Sequence, residues 1–260
     1  MAEKTAILIC TYDGAKDLWG PLHQTYEKYW PDCPYNLYLA TNEQAPRLKL
    51  FSPLCIGKED SWSDNVIKCL RRIPEPYVML TFDDLFLPTR VNTGKLLQLS
   101  RLIEDKQWDY LRLHPSPSPD DVVSINIGRI RRKREYRAST VWAIFNKKVL
   151  FSLLNKSESA WDFERNGSVR SDRYGEFYCV RNTVIVFLNG VVKGKWVPTV
   201  RRRLLEDGVE LDSSAARGIM SFREHLAERT NKVKFQLALA VIPASCRYAI
   251  KKMLAWRSRQ

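Results

Sequence analysis

A chain of 260 residues that is 45% hydrophobic and 27% charged is globular in composition, with apolar side chains enough for one large α/β domain plus an extension, or for two small domains. Its formal net charge of +13 favours polyanionic partners: nucleotide phosphates, nucleic acid or an anionic membrane surface. No stretch approaches the roughly 18 to 20 continuous apolar residues of a membrane span. Met1-Ala2-Glu3-Lys4 runs directly into a strand-like segment, too short and wrongly flanked for a signal peptide, so a cytoplasmic chain is expected. Cys10, Cys33, Cys55, Cys69, Cys179 and Cys246 form no CxxC pair, and His23, His114 and His225 are equally dispersed. Reduced thiols are expected, not a disulfide framework or a zinc site.

In chain order, Ala6 to Cys10 reads as a first strand, followed by a Thr11-Tyr12-Asp13-Gly14 loop suited to lie over a ligand. Leu18, Leu22, Tyr26 and Tyr29 recur at helical spacing. Tyr35 to Ala40 and Phe51 to Ile56 give two more strands, and Ser61-Trp62-Ser63-Asp64 opens a helix carrying Val66, Ile67, Leu70 and Ile73. Tyr77 to Leu87 is the fourth strand run, Asn92 to Ile103 a helix, and Tyr110 to Leu113 a strand. This alternation implies a mostly parallel, doubly wound sheet.

The second half is less regular. His114 to Asp121 is a proline-punctuated loop, and Ile125 to Arg137 reads as a strand or hairpin loaded with Arg129, Arg131, Arg132, Lys133, Arg134 and Arg137, a solvated basic edge or a polyanion contact. Thr140 to Phe145 is an apolar strand, Lys147 to Leu154 a helix and Val184 to Leu188 a strand. Ala160-Trp161-Asp162-Phe163-Glu164 alternates acid and aromatic, as a strand or as a helix opening whose acids favour the dipole. Asn189 to Trp196 sets Lys193 and Lys195 beside glycine in a hairpin or loop able to contact phosphate.

The centre of the chain is Tyr77-Val78-Met79-Leu80-Thr81-Phe82-Asp83-Asp84-Leu85-Phe86-Leu87. Pro74 and Pro76 upstream and the shortness of the apolar run argue for a buried strand. Asp83 and Asp84 then fall at its carboxyl edge, where open α/β sheets bind ligands. Two adjacent acids repel unless a cation or proton neutralises them. A simple turn or cap is the alternative. The apolar flanks favour a metal or ligand partner, because burying an unpaired carboxylate is costly.

The order of a strand ending in Thr11-Tyr12-Asp13, an acid pair at Phe82-Asp83-Asp84 and a later Trp161-Asp162-Phe163-Glu164 resembles a GT-A glycosyltransferase over about residues 5 to 200. The nearest group is the bacterial nucleotide-sugar-dependent transferases of surface polysaccharide and lipopolysaccharide synthesis. The resemblance implies a GT-A-like, Rossmann-type mixed and mainly parallel α/β sheet flanked by helices. It also implies that Thr11, Tyr12, Asp13, Trp62, Asn65, Asp83 and Lys195 contact the donor and that Asp83 and Asp84 hold Mn2+ or Mg2+. The motif departs from Asp-x-Asp in lacking a spacer. Glu164, with Asp162 second, is implied as the base that deprotonates the acceptor hydroxyl. Trp161 is implied as an acceptor platform, the alternative for it and Phe163 being ordinary core. Inverting transfer to a glycan or lipid-linked acceptor follows from that arrangement.

A catalytic unit is expected over residues 1–200, with a donor half to about 113 and an acceptor half from 114, followed by a basic helical extension over 201–260. From residue 229 onward there is no Asp or Glu, while Arg229, Lys232, Lys234, Arg247, Lys251, Lys252, Arg257 and Arg259 alternate with apolar residues. Residues 231–260 are therefore expected to rest on an anionic membrane surface, peripheral on its inner face, or else to dock on the catalytic unit. Two other functions stay open. A nucleotidyltransferase shares a related fold but needs a glycine-rich phosphate loop, and only Gly14 is present. A nucleic-acid binder explains the charge but not the acids at a strand end, so nucleic acid is not the expected partner.

Overall fold

The computed structural model describes residues 3–212, 217–228 and 230. The expected tail over 231–260, with Cys246, lies outside the described residues. The strands are β1 (Thr5–Cys10), β2 (Leu37–Thr41), β3 (Phe51–Cys55), β4 (Tyr77–Phe82), β5 (Leu85–Phe86), β6 (Tyr110–Arg112), β7 (Asp121–Val122), β8 (Ile127–Arg129), β9 (Ala143–Asn146), β10 (Phe177–Val180), β11 (Leu188–Asn189), β12 (Val191–Val192) and β13 (Lys195–Trp196). The helices are α1 (Trp19–Tyr29), α2 (Trp62–Arg72), α3 (Thr93–Asp105), α4 (Lys147–Leu153), two single turns α5 (Ala160–Asp162) and α6 (Ser168–Arg170), and α7 (Pro198–Glu206).

Nine strands form one sheet in the order β3-β2-β1-β4-β9-β6-β10-β8-β7. β3, β2, β1 and β4 are parallel neighbours, and β10 runs parallel to β6. β9 lies antiparallel between β4 and β6, with Leu80 opposite Ala143, and β8 and β7 finish the far edge antiparallel. This is the mixed, mainly parallel sheet expected from the sequence. β1 is buried along its whole length because each face of the sheet is covered, so apolar residues succeed one another without alternation. One face packs Ile7, Met79 and Ile144 under α1 and α3; the other packs Leu8, Leu80 and Phe145 under α2 and α4.

Several segments are shorter than their sequences suggest. The Thr140 strand begins only at Ala143, because Trp142 takes a left-handed backbone at φ 43° and breaks the ladder. The basic Ile125 to Arg137 stretch is a strand only at β8, where a Cβ on Gly128 would strike Pro119. Three of its cations are paired: Arg129 with Glu176, Arg131 with Asp121 and Arg134 with Asp120. Arg137 is buried over the Phe177 ring, where burial pushes its guanidinium down to about 10. Of the expected Val184 strand only Leu188 remains, in β11. β10 was not expected at all, although Phe177-Tyr178-Cys179-Val180 is a short apolar run. α7 runs through residue 200, and its Val200 and Leu204 join the core with Met220. The described cysteines are free thiols.

Candidate active site

Parallel β1, β2 and β4 bring their carboxyl ends to one edge of the sheet. β4 ends at Phe82, Asp83 and Asp84 make the turn, and β5 leaves to pair with β11. The turn is pinned from the far side by Gly190 N–H, which donates to the Asp84 carbonyl at 2.7 Å. Glycine is required at that position because a Cβ would collide with the Phe86 ring.

A cavity of about 160 Å³ opens at this edge, lined by Cys10, Thr11, Tyr12, Ala40, Glu59, Trp62, Asn65, Val66, Phe82 and Asp83. Thr11, Tyr12, Trp62, Asn65 and Asp83, separated by up to 72 positions in the chain, thus line one cavity. Asp83 is held in place by the Thr11 hydroxyl, which donates to its Oδ2, and Thr11 is fixed in turn by the Trp19 indole N–H at 2.7 Å. Burial, then the neighbouring Asp84 charge, push the Asp83 carboxyl up to about 7, opposed by the Thr11 bond and Arg217. Asp13 has a different task. Its carboxylate accepts from the backbone N–H groups of Asn42, Glu43 and Gln44 at 2.9 to 3.1 Å, which shapes the wall of the cavity.

α2 forms the opposite wall. Ser61 caps it, accepting from Asp64 N–H at 3.0 Å, an arrangement that contributes about 1 kcal/mol. The Ser61 hydroxyl donates to the Lys156 carbonyl, and Ser63 N–H donates to the Glu158 carbonyl at 3.1 Å, so the first turn of α2 grips the segment ahead of Trp161. Trp62 stacks on Phe82 at 6.4 Å and meets Phe163 at 5.4 Å. Among the described residues, the buried Asn65 Oδ1 has no hydrogen-bond partner, and the Trp62 indole N–H has only the weakly accepting Cys10 thiol. A buried polar atom without a partner costs about 1 to 3 kcal/mol, which a ligand could recover.

The acidic segment lies beside this wall as a run of short turns: α5, a π turn over Phe163–Gly167, and α6. It starts in a capping box in which Ser159 Oγ accepts from Asp162 N–H and Asp162 Oδ2 accepts from Ser159 N–H. Asp162 also pairs with Arg165 at 2.5 Å, and these bonds, Ser159's first, hold its carboxyl below the usual range. Glu164 Oε1 accepts from Ser139 Oγ at 2.9 Å, Thr140 N–H at 2.9 Å and Thr140 Oγ1 at 3.1 Å. Because β9 runs antiparallel to β4 with Ala143 opposite Leu80, residues 139–142 enter the sheet from the end that points toward the carboxyl terminus of β4. The two aromatics of the segment divide: Phe163 is fully buried core, whereas Trp161 is 74% exposed.

Lys195 is not on the cavity. It sits on the β12–β13 hairpin and pairs with Glu224 at 2.6 Å. A cation whose charge reaches Asp83 comes from elsewhere: Arg217 clasps Asp17 through two bonds of 2.7 and 2.8 Å. Neither Asp17 nor Arg217 carries a local signal, since the pair is 200 positions apart.

Among the described residues no three His, Cys, Asp or Glu side chains gather as a metal cage. Asp83 and Asp84 nonetheless fit a divalent cation, because Mg2+ commonly takes one or two carboxylates and completes its shell with water and substrate phosphate. The raised Asp83 carboxyl is a group that a cation would stabilise in its charged form.

No protein-family model matches the chain, and no curated protein sequence matches it. Solved structures of similar fold include TarS residues 1–349 from S. aureus, with TM-score 0.49 and 11% identity over 70% of this chain and 59% of that one. Mannosyltransferase PcManGT from Pyrobaculum calidifontis, in complex with GDP-Man and Mn2+, gives TM-score 0.49 and 12% identity over 97% of this chain and 80% of that one. A CMP:2-keto-3-deoxy-manno-octonic acid synthetase complexed with CTP gives TM-score 0.46 and 11% identity over 78% of this chain and 98% of that one. This chain spans 59% of the TarS fragment.

Proposed function

We propose that this protein is a glycosyltransferase that moves a sugar from a nucleotide-sugar donor to a glycan or lipid-linked acceptor, with inverting, metal-assisted chemistry in bacterial surface polysaccharide synthesis. The observation that carries the reading is the juxtaposition around one cavity of Asp83 with the unpartnered Asn65 Oδ1 and with the Trp62 indole N–H, which has only the Cys10 thiol. Tyr12 offers its ring to the nucleobase, and the Trp62 indole N–H and Asn65 carbonyl offer one donor and one acceptor to its polar edge. Asp13 keeps the wall in shape from behind. Asp83 and Asp84 would hold the divalent cation, which would supply positive charge opposite the leaving diphosphate. Arg217 adds positive potential on the diphosphate side.

Glu164 takes the proton of the acceptor hydroxyl. With all three bonds on Oε1, the carboxylate is fixed in orientation and Oε2 is its working oxygen. Asp162 is the weaker base, because its capping bonds favour the charged form and lower its proton affinity. Trp161, exposed beside them, stacks on the acceptor sugar. The attacking oxygen forms the new glycosidic bond as the bond to the nucleoside diphosphate breaks, and the proton passes to Glu164.

A nucleotidyltransferase reading is disfavoured by the loop after β1. Its single glycine serves packing, since a Cβ on Gly14 would strike the Tyr12 ring. Stabilisation of the protein by nucleotide sugars with and without manganese, combined with analysis of the released product, tests both readings. Nucleoside diphosphate released from a nucleotide sugar is expected. Pyrophosphate released from a nucleoside triphosphate would overturn the proposal, as would stabilisation by nucleic acid alone.

A further inference from the structure

Beyond the donor site, a short stretch near the described end of the chain presents an apolar face. Residues 222–228 are helical and follow the segment that carries Arg217, which is laid along the hairpin by a bridge between Trp196 and Ile219. At about 100° per residue, positions 224 and 228 share one side of this helix and positions 222 and 226 lie nearly opposite. The acidic side is spent on the protein itself. Glu224 meets Lys195 at 2.6 Å and also accepts from Ser221 N–H at 2.7 Å, and Glu228 approaches Lys193 at 3.8 Å. The other side faces solvent: Phe222 is 79% exposed and Leu226 53%, with Ile219 at 49% one turn earlier and exposed Arg223 on the flank.

We infer that Ile219, Phe222 and Leu226 form a docking face for an anionic lipid surface. Charge complementarity selects that occupant. The helix turns its acids inward, leaving an apolar face flanked by a cation, and the chain that continues from it carries eight cations and no acid from Arg229 to Gln260. Apolar residues interleaved with cations suit a headgroup boundary, where side chains insert while Lys and Arg meet lipid phosphate. A second copy of this chain would bring the same positive charge to the contact and be repelled. No helix among the described residues is long and apolar enough to cross a membrane. The inference stands apart from sugar transfer, since it needs neither donor nor cation at Asp83.

The test is flotation of the full chain with vesicles of phosphatidylcholine alone and of an equimolar mixture with phosphatidylglycerol. Binding to the mixed vesicles only, falling as salt rises, is the expected result, with each cation near the surface strengthening it about fivefold. The double substitution Phe222→Ser with Leu226→Ser is expected to weaken binding about tenfold or more, and Phe222→Leu to retain it. Amide exchange of the unaltered protein is expected to slow over residues 219–228 when mixed vesicles are added, a readout that needs no variant. Equal binding to pure phosphatidylcholine, undiminished binding by the double variant, unchanged exchange over 219–228, or a dimer that the double variant dissolves would each overturn the inference.

Discussion

Two acid-bearing regions meet at the carboxyl edge of the sheet with Trp62 between them, and their polar groups are treated in opposite ways. In the region running from Glu158 to Glu164 the acids are matched: Glu158 takes Arg170 at 2.5 and 2.8 Å, Asp162 closes a capping box and Glu164 takes Ser139 and Thr140. Around the cavity, Asn65 Oδ1 is buried without a partner, the Trp62 N–H has only the weak Cys10 thiol acceptor, and Asp83 is pushed up to about 7. Saturated bonds give position, whereas unspent bonds give affinity for something else. The first region reads as a rigid mount for one carboxylate, the second as the place where a ligand supplies what the fold withholds.

Substitutions can break that comparison. The largest expected effect is at Glu164→Gln. A Gln carbonyl can still accept from Ser139 and Thr140, so the fold should hold while turnover falls about 10²- to 10⁴-fold with donor affinity unchanged. Equal loss of thermal stability and turnover would make Glu164 purely part of the mount. Asp83→Asn is expected to lower turnover about 10²- to 10³-fold. Because burial opposes the charged form, the same change should leave the melting temperature of the ligand-free protein level or higher, a combination that calorimetry and kinetics read together.

Asp17→Ala leaves Arg217 unpaired at a site where both partners are nearly buried, and a cost of about 3 kcal/mol is expected in denaturant unfolding. His114 probes the mount through its N–H bond to the Val141 carbonyl at 3.0 Å. Burial, and then Arg112, hold its folded pKa to about 4 against 6.5 in the unfolded chain. Between those values the unfolded chain binds more protons, so stability should fall as pH drops from 6.5 towards 4, by up to about 3 kcal/mol, and His114→Asn should flatten that segment of the profile. The smallest effect sharpens the second region: Trp62→Phe keeps a ring for Phe82 and Phe163 but removes the N–H. Nucleotide-sugar affinity should then fall about tenfold with little change in stability. An unchanged affinity would show that the indole N–H is not a ligand contact.

Much of the donor half was legible because its signals are local. The Tyr77 run, the Ser61 cap and the Phe51 strand follow from apolar periodicity and capping chemistry, which depend on near neighbours in the chain. The acceptor half was read less well. The left-handed backbone at Trp142 shortens its strand, Arg137 enters the core through carbonyl bonds to Ile130, Ser171 and Tyr174, and β10 slots between β6 and β8. In each case distant residues decide, and no spacing reports them.

By itself the sequence determined that a parallel sheet would form and that Asp83 and Asp84 would stand where its central strand ends. A strand buried on two faces has to be apolar throughout, and the first acids after it mark its edge. Only the tertiary structure decided how those acids are used. It brought Thr11 to Asp83, set Trp62 against Phe82 and Phe163, and carried Arg217 back to Asp17. Whether a polar atom is satisfied depends on which groups reach it after folding, and that pairing is set by packing across the whole chain.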